Sequence, residues 1–439
     1  MPVWADNSVF YHIYPIGFCG AEARNDFSSA PVNRLSKISK AIPHIRELGF
    51  NALYLGPVFE STAHGYDTAD YACVDRRLGT NGQLKELCGQ LHEEGVRIVL
   101  DGVFNHVGRE FWAFRDVLEK REGSPYAGWF NINFSGNSNY NDHLWYEGWE
   151  GHYDLVKLNL ANPEVRGYLT DIVSKWIDEF DIDGLRLDVA YLLSHDFIRE
   201  LRSVCSSKKS GFWLMGETLH GDYNQYMKPD MLDSVTNYEC YKGLFSSFNE
   251  QNLFEIGYSL HRQFGPEHWC IYKGKHLYTF VDNHDVSRIA SRLNNLEHIP
   301  LIYALMYAMP GIPSVYYGSE WAVKGEKVDG DAALRPEFEL LPKNDVTEYI
   351  GRLNKLYRDA PELSYGDYRQ EIVQNKQILF WRCFEGGRVL FALNVGDEEF
   401  TAHFNANAGC GVDLITGEAV DFGGGLRVPP MTAMIIRPE

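Results

Sequence analysis

No pair of cysteines in this chain is spaced C-x-x-C, and its eight cysteines (19, 73, 88, 205, 240, 270, 383 and 410) show no metal-type spacing. A zinc ribbon and a dithiol redox motif are thereby excluded, and the thiols read as reduced and mostly buried. Positive charge is also scarce: 41 Lys and Arg stand against 60 Asp and Glu, a formal net charge of -19. Such a balance repels nucleic acid and anionic membrane, so neither is an expected partner and a neutral substrate fits better. The segment Met1 to Ser8 has neither a basic start nor an apolar stretch. It does not read as a signal peptide or a membrane span, and a cytoplasmic location is the expectation.

What the chain has in quantity is aromatic surface: 14% of its residues, with 10 Trp and 26 Tyr. Rings in that number suit a site that stacks on sugar faces, or simply a large core. At 439 residues the chain exceeds one hydrophobic core, and two domains plus an insertion are expected.

Short β-branched and aromatic runs alternate with amphipathic stretches as far as residue 360. Eight strands are expected to begin near Val9, Asn51, Val96, Asp183, Phe212, Ser234, Leu277 and Pro313. The clearest helix pattern has Asn162 as N-cap, Pro163 at the first position, and Val165, Leu169, Ile172, Val173, Trp176, Ile177 and Phe180 at helical spacing. Eight strand-helix units predict an α/β fold, a (β/α)8 TIM barrel. The alternation breaks over 108–160, where Gly, Asn, Trp and Tyr cluster, and a segment that long is expected to be functional. After Pro361 the texture is one of strands and turns without helix signal, which predicts a C-terminal antiparallel β-sandwich. The expected division is therefore a barrel over 1–107 and 161–360, an inserted domain over 108–160, and a sandwich over 361–439.

Three carboxylates stand where an apolar run stops: Asp188 after Gly184 to Leu187, Glu217 after Phe212 to Gly216, and Asp285 just past Leu277 to Val281. Each alone reads equally as a helix cap or a buried salt bridge. Together they place acidic groups on the carboxyl rim of a parallel barrel, where chemistry is built. Arg186 and Asp188 lie two apart on one strand, so both side chains point into the barrel. The guanidinium is expected to keep Asp188 ionised, the state needed by a nucleophile at an anomeric carbon; Glu217, after a strongly apolar strand, is the candidate acid. His106, in Asp101 to Gly108, and His284 sit at the same rim. They suit either a grip on sugar hydroxyls or structural hydrogen bonds, and no H-x-x-x-H pattern accompanies them as metal ligands.

These segments resemble those of the α-amylase family of glycoside hydrolases, family 13. All four of that family's signature stretches occur in order, at Asp101 to His106, Gly184 to Asp188, Gly216-Glu217 and Phe280 to Asp285, and His64 to Tyr71 matches a further one. The resemblance implies an inserted domain after the third strand and a β-sandwich tail. It implies Asp188 as nucleophile, Glu217 as general acid/base, and Asp285 as the carboxylate that binds and distorts the sugar at the cleaved bond. Arg186, His106 and His284 would contact that sugar, with Tyr66 stacking beneath it. Asp331 and Arg335 resemble a pair that holds the neighbouring sugar on the non-reducing side, or else form a surface salt bridge. No cofactor is required. Asn105 matches a position that ligates structural calcium in many relatives, or it bonds loop backbone.

Two departures narrow the expectation. Many α-amylases follow the nucleophile with a Lys-His pair that grips the leaving chain, whereas here Val189-Ala190-Tyr191-Leu192 follows. The stretch Val156 to Arg166 resembles that of neopullulanases, maltogenic amylases and cyclomaltodextrinases, which act on short oligosaccharides and cyclodextrins. Those relatives usually carry an extra N-terminal domain that builds a dimer over the site, and this chain reaches its first strand at Val9, so oligomeric state stays open. The expected activity is retaining hydrolysis of α-1,4-glucosidic bonds in maltooligosaccharides or starch-type α-glucans, cyclodextrins and pullulan included. A transglycosylase or disaccharide isomerase of the same family is the alternative, and a glycan-binding relative without catalysis is the third reading.

Overall fold

The computed structural model describes residues 3–439. Eight parallel strands, Phe10–Ile13, Ala52–Leu55, Arg97–Gly102, Gly184–Leu187, Trp213–Gly216, Ser234–Val235, Tyr278–Phe280 and Ile312–Tyr316, form the central sheet. Each starts within one residue of its expected place. The sheet closes because Thr236, just past the sixth strand, bridges to Tyr278 of the seventh, with the Asn237 amide donating to the Tyr278 carbonyl at 2.9 Å. A closed parallel sheet is covered on both faces, which is why nearly every strand residue is buried.

Side chains of one parity point inward. Phe10, Ala52, Tyr54, Val99, Trp213, Met215, Tyr278, Phe280 and Ile312 fill the barrel interior as a cluster separate from the core beneath the helices. Continuing that parity towards the carboxyl ends brings His12, Asp101, Arg186, Asp188 and Glu217 into the layer above. Register settles the neighbours: Arg186 lies beside Asp101 on the third strand and Met215 on the fifth.

The helix Pro163–Phe180 forms as its caps direct. Asn162 accepts the Glu164 amide and Pro163 takes the first position, while Asp181 ends it in a left-handed conformation with φ 55°. The barrel departs from eight full units at one place. Between Gly216 and Ser234 the chain makes only a single 3-10 turn, Tyr223–Gln225, so the fifth strand has no α-helix behind it. The sequence predicts helices between most of the strands, and this interval is one without.

Between the third and fourth strands, the Gly- and Asn-rich stretch carries a helix, Trp112–Lys120, which its composition did not announce. It also forms a small antiparallel sheet of His106–Gly108, His152–Lys157 and Gly148–Trp149, and the pair Ile132–Asn133 with Trp145–Tyr146. Gly108 is required where this sheet meets the barrel: a Cβ there would stand 2.4 Å from the Asp67 carbonyl oxygen.

Beyond residue 360 comes a short helix, Pro361–Tyr365, opened by its proline, so that stretch is not wholly strand and turn. A six-stranded antiparallel sheet then follows, with a separate pair, Phe400–Ala402 and Leu426–Val428. Its alternate faces bury different things. Leu379, Trp381, Leu390, Ala392 and Ile436 pack with Leu426 and Val428, whereas Ile378, Phe380, Val389, Phe391, Leu393 and Ile435 join the main core. Arg382 locks this sheet to the barrel, donating to the Ala308 carbonyl at 2.7 Å and the Gly366 carbonyl at 2.9 and 3.1 Å. Burial pushes its guanidinium down to about 10.

All eight cysteines are free and five are buried. Among the described residues no helix is long and apolar enough to cross a membrane. Replacing Arg382 by Met deprives two buried carbonyls of their donor. The expected cost is about 2–4 kcal/mol in urea-induced unfolding, with catalytic parameters of the folded protein unchanged.

Candidate active site

Arg186 is the centre of the carboxyl-end layer. Its guanidinium, 3% exposed as a residue, reaches Asp101 at 2.9 Å, Asp188 at 2.7 Å and Glu217 at 3.0 Å. One cation thus serves three buried carboxylates from three adjacent strands. Asp101 is further held by the hydroxyls of Tyr54 at 2.8 Å and Tyr66 at 3.0 Å.

The contacts divide the oxygens of the other two. Asp188 spends Oδ1 on Arg186, while Oδ2 has no partner and lies 3.9 Å from the equally unpartnered Nε2 of His106. Glu217 takes both of its contacts on Oε2, from Arg186 and from the Val189 amide at 3.0 Å, so Oε1 is left for the cavity. Burial pushes Asp188 well above the usual carboxylate range. Arg186 opposes this, and the charges of Glu217, Asp101 and Asp285 add to the rise. Glu217 is raised by burial too, against Arg186, with Asp285 pushing it up and the Val189 amide and His284 working downward. The arginine is where the sequence placed it. It is shared among three acids, so Asp188 receives only part of its charge.

Asp285 is in the opposite state. Burial would raise it, but the adjacent His284 at 3.0 Å, Arg335 at 2.8 Å and the more distant Arg186 outweigh burial and hold it well below the usual range. His284 also contacts the Tyr66 hydroxyl and lies parallel to that ring, with centroids 5.6 Å apart. Burial pushes His106 down to about 3, so its imidazole is neutral at pH 7.

These groups open into a cavity of about 660 Å³ lined by Tyr66, His106, Asp188, Glu217, Asp285 and Trp149, among others. The expected carboxylates, both histidines, Tyr66, Asp331 and Arg335 are therefore brought together at one place, with Arg186 beneath. Arg335 is turned inward: besides Asp285 it donates to the His284 carbonyl at 3.0 Å, and it meets Asp331 at 3.3 Å. The Arg335 side chain is only 8% exposed whereas that of Asp331 is 51% exposed, so their salt bridge runs from the rim to the surface, and the guanidinium is committed to Asp285 as much as to the cavity. A second cavity of about 510 Å³ adjoins the first through His64, Asp331 and Arg335.

Sequence reasoning missed Asp101, Tyr54 and Val189 as site residues. Asp101 was visible as a carboxylate closing the third strand, the signal that identified Asp188; Val189 carries no such signal. Of the aromatic residues in the inserted stretch, Trp149 lines the cavity, 5.7 Å from His106 and with its Nε1 unpartnered. Trp129 and Tyr146 are instead buried inside the stretch.

Asn105 is tied into the rim by contacts of its own. Its side chain contacts His106 Nδ1 at 3.2 Å and its carbonyl accepts the Leu158 amide at 3.0 Å. Among the described residues no group of three or more His, Cys, Asp or Glu is arranged to hold a metal.

A family model described as the α-amylase catalytic domain matches residues 12–352. An intracellular maltogenic amylase of Bacillus subtilis is 32% identical over 421 residues, 90% of this chain and 70% of the relative. A cyclomaltodextrinase of Thermoanaerobacter pseudethanolicus is 28% identical over 452 residues, 99% of this chain and 78% of the relative. The solved structure of a cyclic α-maltosyl-(1→6)-maltose hydrolase from Arthrobacter globiformis, in complex with that sugar, superposes with a TM-score of 0.83 at 26% identity. It covers 99% of this chain and 98% of its own.

Replacing Arg186 by Met removes the charge that lowers Asp188. If activity requires Asp188 ionised, the acid limb of kcat/KM against pH should move upward by about 1–3 units.

Proposed function

The chain belongs to the α-amylase family of glycoside hydrolases, and we propose that it hydrolyses α-1,4-glucosidic bonds of maltooligosaccharides and cyclodextrins with retention of configuration at the anomeric carbon. The observation that carries this reading is the guanidinium shared by Asp188 and Glu217 in a cavity that also holds Asp285. A shared cation suits the short separation of about 5–5.5 Å between the carboxyls of retaining enzymes, which an inverting pair does not need.

Two buried carboxyls facing one arginine cannot both ionise cheaply, so the pair keeps a proton. Asp188 has the shorter contact with Arg186, which favours the proton on Glu217, at Oε1. Glu217 then protonates the glycosidic oxygen as Asp188 Oδ2 attacks the anomeric carbon. The C–O bond breaks, the leaving chain departs with the proton, and a covalent glycosyl-enzyme forms. Water then enters, Glu217 takes its proton, and attack on the same carbon frees Asp188. Asp285, held ionised by Arg335 and His284, is suited to hydrogen-bond the hydroxyls of that sugar. Neutral His106, with Nε2 unpartnered, is suited to do the same from the Asp188 side.

The substrate class rests on the names of the relatives and on the joined cavities, which favour an oligosaccharide over a single sugar unit. An intracellular location is proposed by analogy with the Bacillus subtilis relative. Glycosyl transfer to a second sugar remains the alternative. It is favoured by Tyr191 and Leu219, which give the cavity apolar and aromatic surface beyond Glu217 where the Lys-His pair is missing.

A proton NMR time course with maltoheptaose tests the reading. Release of α-anomers first, falling about 10⁴-fold or more in Asp188→Asn with the fold intact, is the expected result. First release of β-anomers, or substantial turnover by the variant, would overturn it.

A further inference from the structure

Among the described residues twelve non-glycine residues have positive φ, and Val189 is the only β-branched one of them. At φ 48° and ψ 41° it occupies the left-handed region, where a β-branched side chain is a genuine outlier. It follows the nucleophile candidate directly and is only 4% exposed. The strain therefore lies where the barrel strand hands over to the catalytic loop.

The consequence of that conformation is visible in the hydrogen bonds. Regular pairing between the fourth and fifth strands ends with the Glu217 amide donating to the Leu187 carbonyl at 2.9 Å. The chain then turns at Val189, whose amide meets the Glu217 side chain at Oε2, 3.0 Å away. The turn is braced on both sides. Its own amides close back, Leu192 to the Val189 carbonyl at 2.9 Å and Leu193 to the Ala190 carbonyl at 3.2 Å. Ala190 packs so closely on the fifth strand that a Cβ on Gly216 would stand 2.8 Å from the Ala190 Cβ and 2.5 Å from Leu232. Gly216 immediately precedes Glu217, so the same contact fixes both ends of the hydrogen bond.

We propose that Val189 is a positioning residue: its left-handed turn, braced by Ala190 against Gly216, aims a backbone amide at Glu217 Oε2 and so presents Oε1 to the glycosidic oxygen. The proposal rests on Glu217 as the acid/base. Unlike the Arg186 contact, this one is neutral and comes from a backbone, so it orients the carboxyl while leaving the charge balance of the pair unchanged. It favours the ionised carboxylate, because an amide donates more strongly to a charged oxygen. The other groups facing Glu217 are Arg186, Asp188, Asp285, His284, Tyr238 and Tyr191. None of them supplies a backbone donor.

The test compares Val189→Gly, which frees the turn, with Val189→Asn, whose side chain tolerates the left-handed region. In Val189→Gly the expected result is a kcat lowered about tenfold with KM within twofold. The basic limb of the pH profile should rise by about half a unit or more, since Glu217 must be protonated to act and loses a donor that favours its ionised form. Val189→Asn should keep that limb at its wild-type position. In parallel, carbon NMR of ¹³Cδ-labelled glutamate, with the Glu217 signal assigned by its loss in Glu217→Gln, reads the titration without substrate. A Glu217 titration identical in wild type and Val189→Gly would overturn the proposal whatever the activities. Full activity of Glu217→Gln would instead sink the acid/base assignment, while the NMR comparison still decides whether Val189 holds the carboxyl.

Discussion

A single guanidinium beneath three carboxylates is the constraint on which the rest of this site depends. Taking an ion out of water costs several kcal/mol even after relaxation, and here Asp101, Asp188 and Glu217 are all buried with Arg186. Such a cluster persists only if the geometry is fixed by something stronger than the ions themselves. The barrel provides that: parallel registry sets Asp101 beside Arg186, and the fifth strand delivers Glu217 one step past Gly216. Tyr54 and Tyr66 then satisfy the remaining valence of Asp101. With Asp101 so occupied, the share of positive charge available to Asp188 and Glu217 is limited, and their acidity differs from that of an ordinary ion-paired carboxyl.

Several polar atoms above this cluster are left unsatisfied. Asp188 Oδ2, His106 Nε2 and Trp149 Nε1 are buried without a partner, and all three residues line the one cavity. Folding alone does not favour such an arrangement, since each buried polar group without a partner destabilises the native state. Sugar hydroxyls, which donate and accept, are the chemical complement of these atoms. At the other end Asp285 is handled differently, being held ionised by a histidine and an arginine of its own. Two carboxyls raised and one lowered, within one cavity, is the division of labour that acid, nucleophile and sugar-binding roles demand.

Much of this was legible in the chain. The barrel strands announced themselves because a strand buried on both faces must be apolar throughout, and a carboxylate ending such a run stands out against it. The helix Pro163–Phe180 was equally plain, since cap, proline and apolar stripe agreed. What escaped were features whose cause lies elsewhere in the fold. The helix Trp112–Lys120 was hidden in a stretch whose glycines and asparagines spoke for loop. Arg335 read as the partner of Asp331, four residues away, and meets it, but it also closes on Asp285, fifty residues away, because the loop after the eighth strand folds back over the rim.

The sequence by itself determined the order of strands, the rim carboxylates and the direction in which Arg186 and Asp188 point. Periodicity and burial are local properties, and a two-residue repeat fixes a face without reference to any other strand. The tertiary structure alone decided how charge is shared. The distances from one arginine to three acids, the oxygen of Glu217 that meets a backbone amide and the ring of Trp149 that reaches the cavity all depend on strand registry and loop packing. Electrostatic energies change steeply with separation and burial, and neither is encoded in any one segment.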